Sequence, residues 1–304
     1  MIGNSWRLGA ALILLAFSVM AMSQDIEPRR WTPLPVGTNV ASVGYIQSDG
    51  EISFDPVLKI EDATYKSKET IFSLLHAFGL LGKSARFDLR LPHKSTRWKG
   101  LLGGVPASTG RTGLGDPIVR LSVNFFGAPA LGPRELRRYR AERPVNTVAG
   151  AAVAITLPLG DYEKDKLLNL GQNRFSIRPQ LGVVHTRGPW SYELTGSVFF
   201  YTDNNEFFGT TREQDPLLTA QSHVTYTSPR GWWASIGAAY DAGGESRIDG
   251  ERKDDRRSEF LYGISAGLSV NRHSSLKFAY VGSRTREDLG ADTDNLALAL
   301  LILF

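Results

Sequence analysis

Large apolar side chains stand at every second position in the last ten residues of the chain. Leu296, Leu298, Leu300, Ile302 and Phe304 therefore share one face if this segment is extended. A two-residue period is the side-chain period of a β-strand, whereas a helix would scatter these residues around its axis. The chain is predicted to end in a strand with one uniformly large and apolar face.

The same alternation recurs along most of the chain. In the segment 275–283, Leu276 and Phe278 share one face and Lys277 lies on the other, with Val281 as an exception. An apolar face opposite a polar or small one indicates a strand between two different solvents. We assign twelve strands on this basis, at residues 36–46, 70–78, 82–91, 116–126, 147–157, 175–183, 190–200, 218–227, 232–241, 260–270, 275–283 and 295–304.

The connections between these strands alternate between short and long. Short turns are predicted at residues 79–82, 186–189, 228–231 and 271–274. Longer polar loops are predicted at residues 47–69, 92–115, 158–174, 202–216, 242–257 and 284–294. Short periplasmic turns and longer outer loops are typical of outer-membrane barrels with an even number of strands. The pattern predicts an all-β fold, a transmembrane antiparallel up-and-down β-barrel.

One connection on the short-turn side departs from this pattern. In the segment 127–146, Pro133 can open a helix that Pro144 closes. We expect a short periplasmic helix that carries five basic residues, Arg134, Arg137, Arg138, Arg140 and Arg143. Its arginines could contact inner-leaflet headgroups or a periplasmic partner. The alternative is a solvated connector that tucks under the barrel.

An apolar run follows a basic residue near the start of the chain. Arg7 precedes thirteen almost wholly apolar residues at 8–20. This run is shorter than the roughly 20 residues that a membrane-spanning helix needs, and the small residues at positions 21 and 23 fit a cleavage site. We predict a signal peptide at residues 1–23, a short N-terminal lead at 24–35 and a barrel at 36–304.

An exported chain without a later apolar run of that length is either soluble or a β-barrel. Aromatic residues near the ends of the predicted strands, among them Trp190, Tyr201 and Trp232, favour the barrel, because aromatic girdles lie at membrane interfaces. The lead at 24–35 is too short to form a large plug domain.

Composition excludes several classes of function. The chain has no cysteine, which excludes disulfide scaffolds, thiolate metal sites and cysteine nucleophiles. Its net charge of +4 is spread rather than clustered, so nucleic acid is not expected as a partner. The acidic stretch 161–165 lacks the glycine and glutamate of an EF-hand loop, since Lys166 and Gln172 stand at those positions. No metal and no cofactor are expected.

The polar faces of the strands would point into a barrel whose apolar faces meet lipid. Eight charged or titratable residues on these faces are candidates for the lumen wall: Arg86, Asp88, Arg90, Arg120, Arg178, Glu193, His223 and Lys277. They could select and orient the polar or anionic head of a solute. Equally, they could form a structural ion-pair network that partly closes the lumen.

Several stretches resemble a known family. They include residues 34–39, 78–82, 115–117 and 127–130, the loop at 165–174, and residues 199–204 with 207–209. The chain is similar to the outer-membrane transporter family named for the meta-pathway of phenol degradation, although Phe78 stands where a tyrosine is expected. In the outer loop the matching positions are Asp165, Lys166, Asn169, Gly171, Asn173 and Arg174. The terminal Phe304 resembles the signal that the barrel-assembly machinery reads.

The resemblance implies a location in the bacterial outer membrane. With the strand pattern, it leads us to expect a channel for passive uptake of small, apolar or aromatic compounds. The expected partners are a small-molecule solute, outer-membrane lipid with lipopolysaccharide, and the assembly machinery. An alternative is a non-transporting barrel, structural or enzymatic, with a closed lumen. No enzyme activity is expected. Only His223 of the five histidines lies on a clearly inward face near hydroxyls, and the sequence contains no His-x-Ser-Asn arrangement of the outer-membrane phospholipase type.

The outer loop at 202–216 contains two adjacent phenylalanines, Phe207 and Phe208. They could anchor the loop in the lipopolysaccharide layer or meet an apolar substrate at the outer rim. We favour the anchor.

Overall fold

A computed structural model describes residues 26–53, 60–207 and 209–304 of the chain. The predicted signal peptide at 1–23 lies outside the described residues, and so does Phe208. Within the described part, no helix is both long and apolar enough to cross a membrane.

Twelve antiparallel strands close into one barrel, as predicted. The first and last strands pair along their length, from Val40 opposite Leu303 to Ser53 opposite Gly290, and this seam closes the sheet. The strands of the wall are β1 (Asn39–Ser53), β2 (Ile60–Leu80), β3 (Lys83–Leu102), β5 (Ile118–Pro129), β6 (Val145–Thr156), β7 (Ser176–Arg187), β8 (Trp190–Tyr201), β11 (Leu217–Thr227), β12 (Trp232–Gly243), β15 (Arg257–Ser269), β16 (Ser274–Thr285) and β17 (Gly290–Leu303).

The outer connections contain more β-structure than predicted. The predicted loops at 47–69 and 92–115 are wrong over much of their length, because β1, β2 and β3 continue through them and β4 (Val105–Leu114) pairs with the end of β3. A separate four-stranded sheet lies in the loops at 202–216 and 242–257. It consists of β9 (Asn204–Phe207), β10 (Thr210–Gln214), β13 (Ser246–Ile248) and β14 (Glu251–Arg252). Both faces of β4 are largely exposed to water, so its sequence lacks the alternation of apolar and polar residues that marks the other strands.

The alternation seen in the sequence separates two faces of the wall. On β17, Leu296 and Leu298 are 51% and 55% exposed, whereas Ala297 and Ala299 between them are buried. In a membrane the exposed apolar face contacts lipid, and the buried face points into the barrel. Val281, the exception on β16, is buried on the inward face.

The predicted helix is present as α1 (Pro133–Glu142), with a proline in its first turn. Leu136 is buried, and the Tyr139 hydroxyl donates a hydrogen bond of 3.2 Å to the Gly127 carbonyl. Arg140 Nη2 donates to the Pro33 carbonyl at 2.6 Å. The helix therefore packs beneath the barrel and holds the N-terminal lead.

Candidate functional site

The predicted lumen residues all lie on the inward face of the wall. Each of the eight is less than 10% exposed: Arg86, Asp88, Arg90, Arg120, Arg178, Glu193, His223 and Lys277. Strand alternation places seven of them between two outward-facing neighbours, whereas Arg86 follows the buried Ala85.

The lumen is not empty, because the lead segment, residues 26–35, lies inside it. The Trp31 side chain is fully buried, and its Nε1 donates a hydrogen bond of 2.7 Å to Thr195 Oγ1. The indole fits against Gly150 and Gly182, where a Cβ would come within 2.5 Å and 1.9 Å of the ring. Although this lead is no large plug domain, it narrows the barrel from within, which the sequence analysis missed.

Glu27 of the lead segment is the centre of the charged network. Its carboxylate lies 2.6 Å from Arg120, 3.3 Å from Arg90 and 3.9 Å from Arg86, and it also pairs with Arg30. Glu27 is 2% exposed, so these contacts lie in a largely desolvated interior. Removing one partner of such an ion pair is strongly destabilising, because it leaves the other charge buried and uncompensated.

Asp88 supplies the second carboxylate of this network. It lies 3.1 Å from Arg120 Nε and 3.4 Å from Arg86 Nε. Two carboxylates, on the lead segment and on β3, thus hold the guanidinium groups of β3 and β5 in place. This arrangement has the character of the structural ion-pair network considered above.

The lead segment also bonds to the opposite part of the polar wall. The Arg30 amide donates to Glu193 Oε1 at 3.1 Å, and its guanidinium donates to Gln180. The Glu27 amide donates to Gln221 Oε1 at 3.0 Å, and this oxygen lies 3.3 Å from His223 Nε2.

Two further predicted lumen residues lie near aromatic rings. Arg178 lies over the ring of Phe199, with 4.7 Å between the guanidinium carbon and the ring centroid. Lys277 Nζ lies 5.9 Å from the centroid of Trp233, which also faces inward.

The inward face has two chemically different sides. The polar residues described above lie mainly on β3, β5, β7, β8 and β11. On β1, β2, β15, β16 and β17, buried apolar side chains form one cluster that includes Ile46, Ile71, Leu75, Leu261 and Val281. Ile26 of the lead segment belongs to the same cluster, so the segment contacts both sides.

The outer loop at 158–174 folds over the mouth and bonds to Asp116. The Asp116 carboxylate accepts hydrogen bonds from the amides of Gly160 at 3.0 Å and Gln172 at 2.7 Å. At Gly171 a Cβ would meet Asp116 Oδ1 at 2.8 Å, so this position favours glycine. Burial raises the pKa of Asp116 despite these two bonds.

The other predicted residues of this loop hold its shape. Asn169 bonds to the Glu163 and Lys166 backbones, and Asn173 Nδ2 donates to Asn204 Oδ1 at 3.0 Å. Asp165 and Lys166 form an exposed pair at 3.9 Å, a contact that stabilises little. Arg174 is buried against the ring of Tyr201.

The acidic side chains of the stretch 161–165 bond within the outer part of the barrel. Asp161 accepts a hydrogen bond of 2.9 Å from the Leu114 amide, and Glu163 pairs with Arg111. Nowhere in the described part of the chain are three histidine, aspartate or glutamate side chains grouped as metal ligands.

The closed wall, the lipid-facing apolar surface and the polar interior define an outer-membrane β-barrel of the channel type. The chain belongs to the family described as "Putative MetA-pathway of phenol degradation", which matches residues 50–291. This confirms the family resemblance identified in the sequence, and the protein is located in the outer membrane.

Solved structures support this assignment. The COG4313 outer membrane channel from Pseudomonas putida F1 superposes with a TM-score of 0.76 at 25% identity, covering 92% of this chain and 100% of that chain. The transport unit of the autotransporter AIDA-I from Escherichia coli gives a TM-score of 0.50 at 10% identity, covering 99% and 100%, and shows the fold alone. No curated protein sequence matches the chain.

Proposed function

We propose that this barrel is a channel for passive uptake of small amphiphilic compounds, above all those with one aromatic ring. The observation that carries the proposal is the two-sided lumen, in which a guanidinium-rich wall faces a wall of buried apolar side chains. An amphiphilic solute can place its polar head toward Arg90 or Arg120 and its ring toward Ile71 or Leu75. The likeness to a solved outer-membrane channel supports the same function.

Uptake into vesicles tests this proposal. Proteoliposomes that contain the purified protein should take up radiolabelled phenylalanine faster than protein-free vesicles. Phenylalanine carries one ring and crosses lipid slowly, because it is a zwitterion. Vesicles prepared with heat-denatured protein are the control, and uptake equal to that control would contradict the channel.

The lead segment in the lumen favours a second candidate, a barrel whose lumen stays closed. Ion conductance distinguishes the channel from the closed barrel, because a closed barrel passes no ions regardless of the charges on its wall. If ions pass, Arg178→Glu should lower the preference for anions, since it replaces a positive charge on the inward wall with a negative one. Steady single-channel conductance with that change in selectivity would reject the closed lumen.

We propose no catalytic role for the barrel. His223 is buried, and its Nε2 lies beside Gln221 Oε1 rather than beside a hydroxyl. The Thr225 hydroxyl donates to Ser235 Oγ instead. A general base needs to lie within hydrogen-bond reach of the proton it abstracts, and this histidine is committed elsewhere.

We further propose that the mature chain starts near Gln24 as one barrel domain and that Phe304 is its assembly signal. Phe304 is 70% exposed, although its amide donates a hydrogen bond of 3.0 Å to the Asn39 carbonyl. Its ring is therefore accessible to the assembly machinery at the end of the closing strand.

Replacing this terminal ring tests the assembly role. Phe304→Ser should lower the amount of heat-modifiable, folded protein in the outer membrane, while Phe304→Tyr should keep most of it. Normal assembly of Phe304→Ser would contradict the role.

Outer-membrane lipid and lipopolysaccharide are the proposed surroundings of the wall. Trp190 and Trp232 lie on either side of Tyr226. The ring centroid of Tyr226 is 5.0 Å from that of Trp190 and 5.5 Å from that of Trp232. All three stand close to the short turns, so they form part of an aromatic girdle at the periplasmic interface.

A further inference from the structure

A separate cavity of about 190 Å³ opens at the outer mouth, above the Glu27 network. It lies between the loop at 158–174, the four-stranded outer sheet and the outer ends of β8 and β15. Three guanidinium groups line it, those of Arg174, Arg212 and Arg257. Arg174 was singled out in the sequence as part of a loop motif, whereas the other two were not.

The three arginines of this outer cavity have no carboxylate on its wall. Its polar lining otherwise consists of amides and hydroxyls, including Gln172 and Gln214. Across the described residues, no ion pair joins any of the three to an acidic side chain. Asp203 and Asp255 are near enough to act through space on Arg174 and Arg212, and Asp241 and Glu259 act in the same way on Arg257. None of these four carboxylates lines the cavity.

Burial and the charge of a neighbouring arginine both act on Arg174 and Arg212. Burial, then the nearby charge of Arg212, lowers the pKa of Arg174 to about 10. Burial, then the charge of Arg257, lowers the pKa of Arg212. Groups with lowered pKa values of this kind are stabilised when an anion arrives, because the anion offsets both the burial and the repulsion.

Arg174 carries an unused hydrogen-bond donor. The residue is 6% exposed, and its Nη1 has no hydrogen-bond partner. Its other donors are engaged, since Nε lies 3.4 Å from Gln172 Oε1 and Nη2 donates to Gln214. A buried donor left unpaired costs free energy, which a bound acceptor would recover.

Aromatic rings complete the lining. The Arg174 guanidinium carbon lies 4.5 Å from the ring centroid of Tyr201, and that of Arg212 lies 5.3 Å from the ring centroid of Phe207. A cavity of about 150 Å³ is large enough to bind benzene, so the outer cavity has room for a single aromatic ring with a small substituent.

We propose that the outer cavity is a binding site for one-ring aromatic carboxylates. The carboxylate would accept hydrogen bonds from Arg174, Arg212 and Arg257, and the ring would pack against Tyr201 and Phe207. As an entry site for transported solute it rests on the proposed channel function. As a binding site it can be tested without any transport.

Calorimetric titration of the full-length protein in detergent with benzoate tests the site. The wild type should bind benzoate saturably, and Arg212→Gln should weaken binding about tenfold or more, since it removes a charge-assisted hydrogen bond. Arg257→Gln should act in the same direction. Both residues lie in outer segments, and heat-modifiable gel migration verifies that the barrels are folded.

The controls separate the ring from the charge. Arg138→Gln, on the exposed surface of α1, should bind benzoate like the wild type. Benzyl alcohol and acetate should each bind more weakly than benzoate, because each lacks one half of the ligand. Absence of saturable benzoate binding, unchanged affinity in Arg212→Gln, or acetate binding as tight as benzoate would overturn the proposal. Failure of vesicle uptake with intact benzoate binding would contradict only the channel.

Discussion

Glu27→Ala is expected to raise the single-channel conductance of the purified protein several-fold. The substitution removes a carboxylate that pairs with Arg30, Arg86, Arg90 and Arg120 in a largely desolvated interior. Breaking a buried ion pair by removing one partner costs roughly 3–5 kcal/mol. Because Glu27 belongs to the lead segment, this cost falls on the state in which the segment occupies the lumen. The segment should then leave, and the lumen should widen and favour anions.

Two variants control for this effect. Glu27→Asp keeps the carboxylate and should change conductance less than the alanine variant. Glu135→Ala alters an exposed glutamate on α1 and should leave conductance as in the wild type. Conductance is compared in planar bilayers, after gel migration has verified that each barrel is folded. An unchanged conductance in folded Glu27→Ala would refute the role of the lead segment as the constriction.

Displacing Trp31 should open the same barrel without removing any charge. In the double variant Gly150→Ala/Gly182→Ala, the added methyl groups come within 2.5 Å and 1.9 Å of the present indole position. The Trp31 ring is fully buried against Gly150 of β6 and Gly182 of β7, so the added methyl groups force it to leave its site. Loss of a buried tryptophan costs about 3–5 kcal/mol, and we expect a several-fold rise in conductance.

A comparison with Trp31→Ala tests the mechanism. The single tryptophan variant should raise conductance as much as the double glycine variant, and combining them should add nothing, because both act on one contact. Gly196→Ala is the matched control, since this glycine lies on the exposed face of β8 with open space at its Cβ position. A further increase in the combined variant would show that the glycines act otherwise.

The side-chain period explains why the wall could be predicted from sequence. A strand between lipid and a polar interior must alternate, so the inward positions of Arg86, Arg120 and Glu193 follow from the pattern alone. The strand ends could not be predicted in the same way. Above the membrane both faces of β4 meet water, and the alternation that marks a strand disappears.

The lead segment escaped prediction for a different reason. Residues 26–35 contain three prolines and no periodic pattern, so they fit neither a strand nor a helix. A signal was nevertheless present in the predicted wall. The strand pattern places three arginines on the inward face with only one carboxylate, Asp88, near them; the arginines are Arg86, Arg90 and Arg120. Because buried charges need partners, this excess of positive charge indicates a second carboxylate from elsewhere in the chain. Glu27 supplies it.

The attachment of the lead segment to the wall has a kinetic consequence. The segment continues directly into β1, and the Val36 and Gly37 amides hold this junction through hydrogen bonds of 2.9 Å and 2.8 Å to Leu131 and Ala77. A short tether keeps a ligand at an effective concentration on the order of millimolar near its site. If the barrel has the proposed function, the lead segment acts as a tethered competitive inhibitor. A solute then passes only when it displaces this segment, which stays attached to the barrel.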